Sequence, residues 1–144
     1  MSRQNTLENA RAALNEGTLW RAKEILQGNI SSHGYDSKIF EYYGQVLLRM
    51  GDDIEAGKYL FLSGARDKEY LEPINKFLNR FRNTTISDLQ SNFPRSVRRI
   101  QLKELPSVVI ECLREKGFTD HQISEALEEK KVVGPTRNIE YIYI

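Results

Sequence analysis

Residues 44–61 read GQVLLRMGDDIEAGKYLF, and residues 10–27 read ARAALNEGTLWRAKEILQ. Set one above the other, Leu14 falls on Leu48, Gly17 on Gly51, Ala22 on Ala56 and Leu26 on Leu60, always 34 residues apart. The residue types give these matches their meaning. Gly17 and Gly51 each follow an apolar helical run and precede a new one, and glycine past a helix end takes up the left-handed cap at little steric cost. Thr18 and Asp52 come next, both residue types that favour a helix start. Ala22 and Ala56 are small enough to let two antiparallel helices approach beside the turn. Leu26 and Leu60 lie one helical turn further along the same face. The stretch reads helix, tight turn, helix, written twice.

Working outward, Asp67 to Phe81 reads as a third first-helix, with Leu71, Ile74, Phe77, Leu78 and Phe81 on one face. Beyond it the pattern breaks. NTTISDL, residues 83–89, has no glycine at the expected turn. Thr84 and Thr85 suit the cap of a short helix from Ile86 to Asn92, and Pro94 stops it. The basic stretch SVRRIQLK, residues 96–103, reads as helical, and Pro106 fits the first turn of the next helix. Val108, Val109, Cys112 and Leu113 make its apolar stripe, and Gly117 ends it. Thr119 with Gln122 forms a capping box for a last helix carrying Ile123, Ala126 and Leu127 on one face. Val132 and Val133, and then NIEYIYI at residues 138–144, read as a strand or small hairpin that pairs within the chain or across a dimer. The expected fold is mainly α: antiparallel helix pairs over residues 1–82, then a C-terminal extension over 83–144 of shorter helices and a terminal strand.

Composition narrows the function. Lys and Arg total 21 against 20 Asp and Glu, a formal net charge of +1, which argues against a dedicated nucleic-acid or membrane binder. The single cysteine, Cys112, excludes an internal disulfide. No apolar run reaches the ~18 residues of a spanning helix, and the N-terminus lacks the apolar core of a secretory signal. These features read as cytoplasmic. The histidines, His33 and His121, lie far apart without metal-type neighbours. No HExxH, CxxC, GxSxG or glycine-rich phosphate loop occurs. The expectation is a non-enzymatic protein without a cofactor or a metal.

The 34-residue period with Phe40, Gly44, Leu47, Gly51, Asp52, Ala56 and Leu60 resembles the tetratricopeptide repeat over residues 4–81. The first unit departs from it in having Thr6 where an aromatic is usual. The segment GDDIEAGKYLFLSG also resembles a family of small uncharacterised bacterial proteins in which a GD pair is followed by AG, a basic residue and an aromatic. The tetratricopeptide likeness implies a curved stack whose first helices line a concave, partner-binding side. Carried over by position, that side presents Leu7, Arg11, Leu14 and Asn15 from the first helix. Lys38, Glu41, Gln45, Leu48 and Arg49 come from the second, and Asn75, Asn79 and Arg82 from the third. The implied function is protein–protein interaction, and its sharper form is a bacterial immunity protein that sequesters a toxin. The alternatives are nucleic-acid binding through Arg95, Arg98, Arg99 and Lys103, or a small enzyme of unrecognised type.

Overall fold

The structure is a computed structural model that describes residues 2–98 and 100–125, and among these every regular element is helical. Four helices of 11 to 15 residues come first: α1 (Arg3–Asn15), α2 (Leu19–His33), α3 (Ser37–Arg49) and α4 (Asp53–Ser63). A 3-10 turn (Lys68–Tyr70) leads into α5 (Leu71–Asn79). Shorter pieces follow: α6 (Ile86–Gln90), α7 (Arg95–Arg98), a 3-10 turn (Leu102–Glu104) and α8 (Ser107–Glu115). A further helix begins at residue 120. The strand expected at residues 132–144 lies outside the described residues.

The sequence period is a period of structure. First helices begin at Arg3, Ser37 and Leu71, in steps of 34, and second helices at Leu19 and Asp53, again 34 apart. The two turns carry the same hydrogen bonds. Thr18 N–H donates to Ala13 C=O at 2.9 Å, and Asp52 N–H to Leu47 C=O at 2.9 Å. Gly17 and Gly51 stand at φ 80° and 85°, where only glycine is free of steric cost. Thr18 and Asp52 occupy the N-cap positions, but neither makes a side-chain cap bond. The helix starts thus fall where these residue types favour them. The turn is closed by backbone groups, and ψ values of 74° and 72° at the two caps depart from the extended geometry that side-chain capping uses.

Packing follows chain order: α1 on α2, α2 on α3, α3 on α4 and α4 on α5, with α1 also touching α3. In α4, the consecutive residues Tyr59, Leu60, Phe61, Leu62 and Ser63 are all buried, because this helix is covered by α3 on one side and α5 on the other. Two glycines set its distances. A Cβ on Gly44 would stand 2.6 Å from the Leu60 side chain, and a Cβ on Gly57 would stand 1.9 Å from the Pro73 carbonyl oxygen. The second contact is with backbone, which cannot rotate away.

Departures from the repeat have local causes. Thr6, at the aromatic position of the first unit, is buried and accepts a bond of 3.2 Å from Asn29 Nδ2, so a polar pair joins α1 to α2 where the next unit uses Phe40. The third first-helix is not one rod from Asp67 to Phe81. It breaks into the 3-10 turn and α5, which puts Pro73 in the first turn of α5, where its missing N–H has no helical partner to lose. The turn after α5 does take a left-handed residue, but it is Asn83 at φ 66° and not glycine; asparagine is among the few side chains that visit this region readily. The basic stretch 96–103 forms the short α7 and a 3-10 turn in place of one helix. Pro106 precedes α8 as expected, and the Thr119–Gln122 capping box forms with both bonds, at 2.8 and 3.1 Å.

The end of α4 ties the extension to the repeats. The half-buried Arg66 guanidinium donates to the Leu60 carbonyl at 3.2 Å and the Phe61 carbonyl at 3.1 Å, adding to the bonds these helix-end acceptors take from Ser63 Oγ and the Gly64 N–H. Cys112 of α8 lies beside the same guanidinium, and burial pushes its thiol up from the ordinary value. At the start of α3, Asp36 accepts from the N–H groups of Lys38 and Ile39 at 3.0 and 3.2 Å and pairs with Arg3 of α1. Burial works to raise its carboxyl, but Arg3 and the two N–H groups outweigh that and hold it below the usual carboxylate range.

Two predictions rest on these contacts. Gly28 lies inside α2 with open space where a methyl group would stand, so Gly28→Ala stabilises by roughly 0.5–1 kcal/mol through helix propensity. Gly57→Ala, also inside a helix, reverses the sign and destabilises by about 2 kcal/mol or more, because the added methyl overpacks against backbone; urea midpoints of the two variants and wild type measure both. For Asp36, a depressed folded-state pKa means that its stabilisation is present above the ordinary value near 3.8 and is lost as pH falls through the folded value. Asp36→Asn is therefore less stable than wild type at neutral pH, and the gap closes as pH falls below about 4, read from thermal melts across that range.

Candidate interaction face

The first helices α1, α3 and α5, with Arg82 just past the end of α5, carry the residues expected to meet a partner, and the structure sorts them into three groups. Arg11, Lys38, Glu41 and Gln45 are brought together. Arg11 Nη2 donates to the Tyr42 hydroxyl at 2.6 Å, and its guanidinium carbon lies 5.9 Å from the Tyr42 ring centroid. Lys38 Nζ stands 5.4 Å from the same centroid and 3.5 Å from Glu41 Oε1. The Tyr70 hydroxyl donates to Glu41 Oε2 at 2.9 Å and accepts from Gln45 Nε2. One polar chain thus runs from α1 across α3 to the 3-10 turn before α5.

The sequence reading misses the two tyrosines that connect this chain. Tyr42 follows Glu41 directly in α3, and both Tyr42 and Tyr70 are buried residues that look like ordinary core aromatics. Tyr70 lies 29 residues from Glu41, in a turn with no helical period to flag it. Burial pushes the Tyr70 phenol well above its ordinary value, and the bond to the Glu41 carboxylate pushes the same way, so the phenol remains a donor.

Asn15 and Arg49 form a second group, exposed near the ends of α1 and α3. The third group, Asn75, Asn79 and Arg82, is also exposed, beside the C-terminal extension. Asn75 lines a groove of about 440 Å³ whose other wall is α8, with Glu111 and Cys112. Asn79 and Arg82 line a hollow of about 270 Å³ with Glu115, Lys116 and Phe118. The C-terminal extension therefore borders the third helix on this side and leaves the three residues exposed. Of the apolar positions, Leu7 is buried in the core, and Leu14 and Leu48 are half-buried against it. They hold α1 and α3 in place and present little to a partner.

Charge on the open part is uneven. Arg11, Lys38 and Arg49 are exposed, while Glu41 is half-buried and bonded to both Lys38 and Tyr70. Glu8, also exposed on α1, is bonded by Gln4 at 3.1 Å. The basic residues Arg95, Arg98 and Lys103 of the alternative reading are exposed on the extension, and Arg99 lies outside the described residues.

These features describe a small, mainly helical protein whose first half repeats a helix–turn–helix unit at a 34-residue step. The chain belongs to a family of unknown function (DUF6584), whose model matches residues 1–136. No curated protein and no solved structure matches it. No helix among the described residues is long and apolar enough to cross a membrane.

The network makes a testable ranking. Tyr70→Phe leaves the half-buried Glu41 carboxylate without its hydroxyl donor and costs about 1–2 kcal/mol. Tyr42→Phe loses only a bond from the solvent-exposed Arg11 and costs less. Chemical denaturation of the two variants gives the order.

Proposed function

We propose that this chain is a tetratricopeptide-like interaction module without catalytic activity, and that it binds a partner protein across α1 and α3. The observation that carries the reading is the polar chain that joins Arg11, Tyr42, Lys38, Glu41, Tyr70 and Gln45. Its members are fixed by each other before any partner arrives, which lowers the entropy lost when side chains are ordered in an interface. Exposed arginines on such a surface suit bidentate recognition of carboxylates and peptide carbonyls. With two and a half units and α8 bordering the third helix, the open surface is short, so it fits a folded partner's protruding acidic segment better than a long extended peptide. In its sharper form, the partner is a toxic enzyme and this chain is the immunity protein that masks it inside the cell.

The test uses the full-length protein immobilised in an extract of its host. Wild type is expected to retain one protein at a near-stoichiometric ratio, and the double variant Arg11→Glu/Arg49→Glu to lose it while its circular dichroism spectrum remains that of the folded wild type. Equal retention by both, or retention of nothing by wild type, contradicts the reading. For the sharper form, the retained protein arrests growth when expressed alone and not when expressed with this chain; a partner harmless in both cases removes it.

A further inference from the structure

A hollow of about 650 Å³ opens where the end of α2 and the loop after it meet the start of α7, within the ~300–1,000 Å³ range of small-molecule sites. Four stretches of chain build it: residues from Gln27 to Tyr35, Tyr43 of α3, Tyr59 of α4, and Pro94 to Ser96 with Ile100. Ser31, Ser32, His33, Arg95 and Ser96 bring polar groups to it. Ile30, Tyr35 and Ile100 supply apolar wall.

Three observations give this hollow a chemical preference. Ser96 Oγ is the one buried side-chain polar atom among the described residues with no hydrogen-bond partner, and Ser96 lines this hollow. An unmade bond at a buried hydroxyl is costly enough to need a reason. Among the described residues, no aspartate or glutamate lines the hollow, while Arg95 brings a permanent positive charge. The carboxylates that act on the lining tyrosines are Asp36, Asp52 and Glu55. Asp36 is paired with Arg3, and Glu55 with Lys58 at 3.0 Å, so two of the three are already countered. Burial holds the Tyr43 and Tyr59 phenols above their ordinary value, which keeps them neutral hydrogen-bond donors. The opposing influence is the carbonyl end of α2, which carries a partial negative charge. That influence is a fraction of a unit charge and is solvent-screened, whereas a guanidinium–oxyanion bond is charge-assisted and bidentate.

We propose that this hollow is a binding site for a small molecule that joins an oxyanion, phosphate or carboxylate, to a flat apolar body. Arg95 and the hydroxyls of Ser31, Ser32 and Ser96 take the oxyanion, and the wall of Ile30, Tyr35 and Ile100 takes the body. The site is separate from the α1–α3 face and does not depend on it.

The experiment is an amide NMR titration of the full chain at fixed ionic strength with four probes: inorganic phosphate, phenyl phosphate, benzoate and tetramethylammonium. Expected are saturable shifts confined to residues 30–35 and 94–100 with phenyl phosphate or benzoate, the stronger of the two naming the oxyanion, and weaker binding of inorganic phosphate, which lacks the apolar body. Arg95→Ala weakens binding about tenfold or more, and Arg80→Ala, at the end of α5, leaves it unchanged. Ser96→Ala also weakens binding while leaving the thermal melt unchanged or higher, since it removes an unpaired buried hydroxyl; a purely structural role for Ser96 would lower the melt. The proposal is overturned if no probe saturates, if Arg95→Ala and Arg80→Ala weaken binding alike, or if tetramethylammonium binds best.

Discussion

The tightest constraint on the packing is the meeting of α4 with α5 at Gly57. A side chain there would collide with the Pro73 carbonyl, so the distance between these helices is that of two backbones in contact. Much depends on it. α4 is buried on both sides, and its rings, Tyr59 and Phe61, connect Phe40 and Tyr43 of α3 to Phe77 of α5 and Phe93 beyond it. Were α5 pushed outward by the width of a methyl group, Phe61 would lose contacts on one side, and close-packed interiors do not fill such gaps. Gly44 plays the corresponding part between α3 and α4, but against the Leu60 side chain, which has some freedom to shift.

The same contact reaches the surface. Tyr70 is the residue before α5, and its hydroxyl bonds to Glu41 and Gln45 of α3 only because α5 begins where it does. The polar chain across α1 and α3 is thus fixed from two ends, by the repeat turns that align the first helices and by the glycine contact that brings the 3-10 turn over α3. A surface whose charged groups are held by one another suits the proposed contact with a partner, whereas loosely held side chains would be ordered at a cost during binding. The extension adds a limit. It borders α5 and so limits the length of the open surface, and by bringing α7 near the end of α2 it forms a hollow that the repeats alone would not have.

How much of this is legible in the sequence depends on whether a feature has a period. The turns at Gly17 and Gly51 are legible because glycine has a physical reason to stand there and stands there twice. Arg11, Lys38, Glu41 and Gln45 are legible as positions on helix faces. Features without a period, or with a substitute residue, stay hidden. Asn83 does glycine's work in the third turn, Thr6 with Asn29 replaces an aromatic, and Tyr70 acts from a 3-10 turn. Thr18 and Asp52 have the residue types of side-chain caps, yet the tight turn is closed by backbone N–H groups instead. That the extension comes to lie beside Asn75, Asn79 and Arg82 is beyond the reach of the sequence, since no local pattern states which surface a later helix will choose. The β-branched end of the chain falls outside the described residues.

Backbone contact between α4 and α5 at Gly57 is therefore the point on which the rest turns. A nuclear Overhauser experiment on the labelled full chain reads it directly, because a Gly57 α-proton aimed at Pro73 lies within range of the Ile74 amide proton. A clear cross-peak between the two is the expected result. Its absence, with both resonances assigned and resolved, would mean that the helices stand further apart than a glycine contact allows, and would contradict this packing.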